Sequence, residues 1–203
     1  MKRADFADGI VLGTHNAKKL RELELLLAPL GIKLESLASI PKAIAVEETG
    51  KTFIENAKLK ASGQARHLGR WTIGEDSGLC VPALDGAPGI YSARYAGLDA
   101  TDAMNNAKLL ADMHALTGDL RRAYYVCTIA LSDPEGRIHI EAAGQCWGRI
   151  LLDERGQGGF GYDPMFEIPE YHKTFAELGP PVKSVLSHRA RALGKFIAQL
   201  PTT

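Results

Sequence analysis

Apolar and polar positions along the chain switch between strand-like runs and helical spacing, and the switches mark out the elements. Ile10-Val11-Leu12 is a continuous apolar run that predicts a buried strand. After Gly13-Thr14-His15-Asn16, Leu20, Leu23, Leu27 and Leu30 recur at the period of a helix, with Asn16 placed as its N-cap and Gly31 as its stop. Leu34 to Val46 reads as a connector with room for one more strand. Thr52-Phe53-Ile54-Glu55 has the form of a capping box, and Ile54, Ala57, Ala61, Ala65 and Leu68 then share one helical face. Trp71-Thr72-Ile73 predicts a strand that ends in a turn, Gly74-Glu75-Asp76-Ser77-Gly78, before an apolar run resumes from Leu79 to Leu84.

The second half continues the mixture. Gly86 to Gly97 reads as a loop with little regular structure of its own, and Thr101 to Leu116 as a helix with Met104, Ala107, Leu110 and Ala111 inward. Ala123–Leu131 and Ile138–Ala143 predict an antiparallel hairpin closed by Asp133-Pro134-Glu135-Gly136, whose Pro and Gly suit a β-turn. Gly156 to Pro164 is the most glycine-dense loop, followed by a short strand, Met165 to Ile168. The last helix is expected from Ser184 to Gln199, with Leu186, Ala190, Leu193, Ile197 and Leu200 as its apolar stripe and His188, Arg191 and Lys195 on the opposite, basic face. Strand-helix units plus a hairpin predict an α/β protein with a mixed sheet, bent or split into two lobes.

Composition narrows the function classes. In 203 residues, 24 Lys plus Arg balance 24 Asp plus Glu, which argues against a protein that grips long nucleic acid through a strongly basic face. A local basic pocket remains compatible with that balance. Three widely spaced cysteines, Cys80, Cys127 and Cys146, with no CxxC pair, predict neither a zinc finger nor a disulfide scaffold. Asp5 and Asp8 interrupt anything that would serve as a signal-peptide core, and no apolar stretch is long enough for a bilayer. A cytoplasmic protein without a membrane partner is the expectation.

Four constellations carry candidate chemistry. Thr14 to Lys19 stands at a strand-to-helix junction, where Lys18 and Lys19 are electrostatically wrong for a helix start unless an anion sits there. No Walker A sequence is present, so P-loop ATPases and GTPases are excluded. Glu47-Glu48 and Glu75-Asp76 are acidic pairs whose mutual repulsion calls for a cation or proton between them. So sparse a carboxylate set suits Mg²⁺, which keeps waters and takes substrate phosphates, better than calcium. Glu48 reads as solvated charge, and Glu55 is occupied by the capping box. Phe160-Gly161-Tyr162-Asp163 offers rings that either stack on a nucleobase or anchor the loop to the core. Lys183 to Arg189 opens the final helix with basic side chains.

In order along the chain, Thr14-x-Asn16-x-x-Lys19, Glu47-Glu48-Thr49-Gly50, Thr52 to Ala57, Glu75 to Leu79, Gly86 to Arg94, Gly159 to Pro164, and Lys183-Ser184 through Ser187-His188-Arg189 resemble the inosine triphosphate pyrophosphatase family. Each is short; seven in one order are specific, and they span nearly the whole chain. The resemblance implies one two-lobed domain over residues 1–203 with a long curved mixed β-sheet flanked by helices, acting as a homodimer. It implies Mg²⁺-dependent hydrolysis of dITP, ITP and XTP to the monophosphate and pyrophosphate. It also implies that Thr14, His15, Asn16, Ala17, Lys18 and Lys19 bind phosphate, and that Glu47 and Asp76 hold the metal. Asp76 would in addition be the proton acceptor, and Ser77, Phe160, Gly161, Tyr162, Asp163, Lys183, His188 and Arg189 would bind the nucleotide. Two positions depart from the family pattern: His15 stands where many members carry Gly, and Glu75 where the common bacterial form has Asp.

Overall fold

The computed structural model describes residues 3–14, 16–28, 31 and 33–201. Its elements in chain order are β1 (Ile10–Leu12), α1 (Ala17–Leu27), β2 (Leu34–Ser36), α2 (Phe53–Leu68), β3 (Thr72–Cys80), α3 (Asp102–Asp112), β4 (Arg122–Ser132), β5 (Ile138–Ile150), β6 (Phe166–Ile168), β7 (Lys173–Thr174), α4 (Phe175–Leu186) and α5 (His188–Ile197). The strands form one sheet in the order β2-β1-β3-β4-β5-β6-β7. β1 runs parallel to both β2 and β3, whereas β6 is antiparallel to β5 and β7, so the sheet is mixed and the class α/β, as the pattern predicts. β1 is buried at all three positions, which is why it reads as an unbroken apolar run. β5 instead alternates buried and exposed residues along its length, the signature of a strand with one solvated face.

By packing, the chain divides into two compact units, residues 1–76, 127–144 and 189–203, and residues 77–126 and 145–188, so the boundaries fall inside β3, β4 and β5 and before Arg189. Each unit has its own core. In the first, Ile10, Leu12, Leu23, Leu27, Ile73, Ile129, Leu131, Leu193 and Phe196 pack together. In the second, Leu79, Val81, Leu109, Met113, Tyr125, Met165, Phe166 and Phe175 do so. The capping box forms as predicted: Thr52 Oγ1 accepts the Glu55 N–H at 3.3 Å, and Glu55 Oε2 accepts the Thr52 N–H at 3.1 Å.

Three expectations fail for definable reasons. Gly74 to Gly78 is not a turn but the middle of β3. Gly74 is there because α2 lies against it: a Cβ would stand 2.1 Å from the Ala57 carbonyl oxygen. In α3 the residues expected inward are exposed at Met104, Ala107 and Ala111, while Asn105, Asn106, Leu109 and Met113 are buried. Asn105 is buried because it serves the neighbouring loop, taking the Ala96 N–H at 2.8 Å and giving its own to the Ala93 carbonyl at 3.2 Å. The last helix is two helices, since Ser187 is extended (φ −67°, ψ 159°) between α4 and α5. The Gly86–Gly97 loop also carries more structure than expected, with a 3-10 segment at Gly89–Arg94.

Candidate active site

In the first unit, the segment after β1 folds as a capped helix start. The Asn16 N–H donates to Thr14 Oγ1 at 3.2 Å, and Asn16 Oδ1 accepts the Lys19 N–H at 3.2 Å. Lys19 thus sits in the first turn of α1, and the anion that compensates it is supplied by the chain, Glu75 Oε2 at 3.0 Å. His15, and the side chains of Ala17 and Lys18, lie outside the described residues.

Glu75 and Asp76 are neighbours on β3, both buried, and their surroundings differ. Glu75 Oε1 takes the Arg189 guanidinium at 3.0 Å, Cys127 Sγ donates to it at 3.4 Å, and the other arm of Arg189 binds Glu22. Burial alone would push the Glu75 carboxyl up, but Lys19, Arg189 and Lys60 outweigh it and hold it well below the usual carboxylate range. The Cys127 thiol is pushed far up, first by burial and then by the Glu75 charge, so it is a neutral donor. Glu75 is therefore an ionised strut between α1 and α5.

Asp76 sits differently. Lys60 Nζ lies 3.0 Å from its Oδ1 and 3.4 Å from Glu48 Oε1, so one ammonium serves both carboxylates. Asn56 Nδ2 reaches Asp76 Oδ2 at 3.4 Å, while Asn56 Oδ1 accepts the Gly50 N–H at 2.8 Å and so ties the Glu47–Gly50 segment to β3. Burial raises the Asp76 carboxyl above its ordinary value, with Lys60 and Lys19 opposing. For Lys60, burial works against the charge, but Asp76, Glu75 and Glu48 prevail and its affinity for the proton is raised.

Lys60 and Asn56 were not among the residues the sequence singled out for chemistry, and Glu48, one half of an acidic pair, read as solvated charge. A signal existed: Asn56, Lys60 and Gln64 form a polar row at i, i+4, i+8 beside the alanine face of α2, and Asn56 and Gln64 are buried. Glu47 is exposed in the segment before α2, and Ser77 is half-buried on β3.

The donor chemistry around Asp76 fits Mg²⁺. Two carboxylates already share a cation in the form of the Lys60 ammonium, and Mg²⁺ is held by one or two carboxylates, with waters and phosphate oxygens completing its shell. Among the described residues no three His, Cys, Asp or Glu side chains converge as a metal cage.

In the second unit a different set assembles. Asp163 Oδ2 accepts the Phe160 N–H at 2.9 Å and lies 2.6 Å from Lys183 Nζ, both charged groups being buried. The same ammonium stands 4.2 Å from the centre of the Phe160 ring, a cation–π contact. Gly161 has φ +60° within this turn, and Tyr162 is buried with its hydroxyl donating to the Ser92 carbonyl at 2.8 Å. His188 is buried and stacked on Tyr125, with ring centres 4.7 Å apart and planes at 12°. Of the basic face expected in the last helix, His188, Arg191 and Lys195, the last two are exposed and His188 is interior, as is its neighbour Arg189.

Residues 10–199 of the chain match the Ham1 family model. It is 54% identical over 191 residues to a dITP/XTP pyrophosphatase of Rhodopirellula baltica, covering 94% of this chain and 92% of that protein. It is 48% identical to the dITP/XTP pyrophosphatase of Geobacillus kaustophilus, over 94% and 93% of the two chains. Among solved structures it is similar to a HAM1 protein from Coxiella burnetii, with a TM-score of 0.84 and 41% identity over 91% of this chain and 94% of that one.

Proposed function

The chain belongs to the Ham1 family, and from that premise we propose that it hydrolyses noncanonical purine nucleoside triphosphates (dITP, ITP and XTP) to the monophosphate and pyrophosphate, with Mg²⁺. One observation carries the reading. Asp76, paired through Lys60 with Glu48, is the chain neighbour of Glu75, which grips the Lys19 of the helix-start segment. An acidic centre and a lysine-bearing anion site are thus tied together by consecutive residues of one strand.

Asp76 with the Glu47–Glu48 segment would hold Mg²⁺. When bound, Mg²⁺ neutralises phosphate charge and stabilises the departing pyrophosphate. The residues of the chain do the remainder. Lys19, Lys60 and the capped start of α1 bind phosphate oxygens. Asp76, whose carboxyl burial pushes up while Lys60 and Lys19 oppose, orients the attacking water and accepts its proton. Lys183 and Asp163 hold the Phe160 turn, whose ring stacks on the base. His188 donates to the 6-oxo oxygen of the base, whereas Arg189 is held by Glu22 and Glu75. Adenine presents an amino donor there, and facing donors left unpaired in a buried site cost about 1–3 kcal/mol each.

The test is product identification. With Mg²⁺, dITP, ITP and XTP are expected to yield pyrophosphate and monophosphate, with GTP and ATP turned over far more slowly. Orthophosphate as product, or saturable ITP binding without pyrophosphate, overturns the reading. We further take the protein to work as a homodimer in the cytoplasm; light scattering at twice the mass of one chain checks the first. Among the described residues no helix is long and apolar enough to cross a membrane.

A further inference from the structure

The glycine-rich turn around Phe160 is held from outside by a residue that the site described above does not use. Two successive amides in this turn end on carboxylates: the Phe160 N–H on Asp163 Oδ2 and the Gly161 N–H on Asp102 Oδ2, each at 2.9 Å. Asp163 belongs to the turn itself, whereas Asp102 stands in the first turn of α3, where the helix dipole favours a carboxylate. One turn further along α3, Asn106 Nδ2 donates to Glu154 Oε1 at 2.8 Å, fastening the start of the same loop. Gly156, Gly158, Gly159 and Gly161 leave this segment a large conformational freedom to lose, so a ring held at a fixed pitch on it needs anchors.

We propose that Asp102 is a positioning residue for nucleotide binding: by holding the Gly161 amide it sets the Phe160 turn in advance, so that the base meets a ring already in place. This rests on the reading that Phe160 stacks on the purine. Asp102 touches no reacting group, so its loss acts on binding and not on the chemical step.

The experiment compares Asp102→Ala, Asp102→Asn, Phe160→Leu and the double variant Asp102→Ala/Phe160→Leu in steady-state dITP hydrolysis, with thermal unfolding and hydrogen exchange of residues 156–163. Asp102→Ala is expected to raise KM about fivefold, the worth of one ordinary hydrogen bond, with kcat nearly constant and faster exchange in the turn. Asp102→Asn keeps an acceptor oxygen and is expected to restore most of the KM. The double variant is expected to bind no worse than Phe160→Leu alone. A KM unchanged in Asp102→Ala, whether or not its melting temperature falls, overturns the proposal, as does an undiminished effect on top of Phe160→Leu. If Phe160→Leu itself leaves KM untouched, the stacking role fails first and the proposal with it.

Discussion

Two buried lysine–aspartate pairs, one in each unit, invite comparison because their chemistry is alike and their surroundings are not. Lys60 is 3.0 Å from Asp76, and Lys183 is 2.6 Å from Asp163. Around the first lie further carboxylates, Glu48 on the same ammonium and, next in the chain, Glu75 with its own partners Lys19 and Arg189. Around the second lie the Phe160 and Phe175 rings, 4.2 and 5.8 Å from the ammonium, so aromatic surface borders the pair. The first arrangement sets two carboxylates on one ammonium, the donor chemistry that suits a metal and a phosphate chain. The second presents ring surface beside its ion pair, which suits a base.

The comparison is broken most directly at Asp76. Asp76→Asn is expected to lower kcat by about 10²–10⁴-fold, the usual worth of a positioned base, while inosine nucleotide affinity measured by calorimetry changes little. Unchanged turnover would remove the first pair from the chemistry. Lys60→Met leaves Glu48 and Asp76 without their shared cation, so the acid limb of the kcat/KM profile should move to higher pH, because Lys60 opposes the upward push that burial gives Asp76.

Glu75→Gln tests the strut. Breaking a buried pair by removing one partner typically costs about 3–5 kcal/mol, so the midpoint of urea unfolding at pH 7 should fall markedly. The sign with pH follows from the depressed Glu75 pKa: its contribution is complete above the ordinary value of 4.5 and is lost as pH falls toward the native one. The gap between wild type and Glu75→Gln should therefore narrow on acidification; a constant gap would assign the loss to packing.

In the second unit, Phe160→Leu should raise KM for dITP about tenfold through lost stacking, with a much smaller change in kcat. Smaller still is the distinction between the two glutamates. Glu48→Gln is expected to raise the Mg²⁺ concentration for half-maximal activity more than Glu47→Gln, because only Glu48 shares the Lys60 ammonium with Asp76. The reverse order would place the metal ligand at Glu47.

What the sequence determined by itself was local. The strand at Ile10–Leu12, the Asn16 cap, the Thr52–Glu55 box and the α/β class follow from spacing and from side chains that bond to backbone a few residues away. The motif order, too, was enough to recognise the family. Tertiary structure alone decided that Gly74 marks the close approach of α2 and not a turn, because the atom a Cβ would strike, the Ala57 carbonyl oxygen, lies 17 residues away in the chain. It alone joined Lys60, Glu48 and Asp76, and set Arg189 between Glu22 and Glu75, 167 and 114 residues distant. Burial of a charge depends on which partners the fold delivers to it, and periodicity, which sees one element at a time, holds no information about partners carried by another.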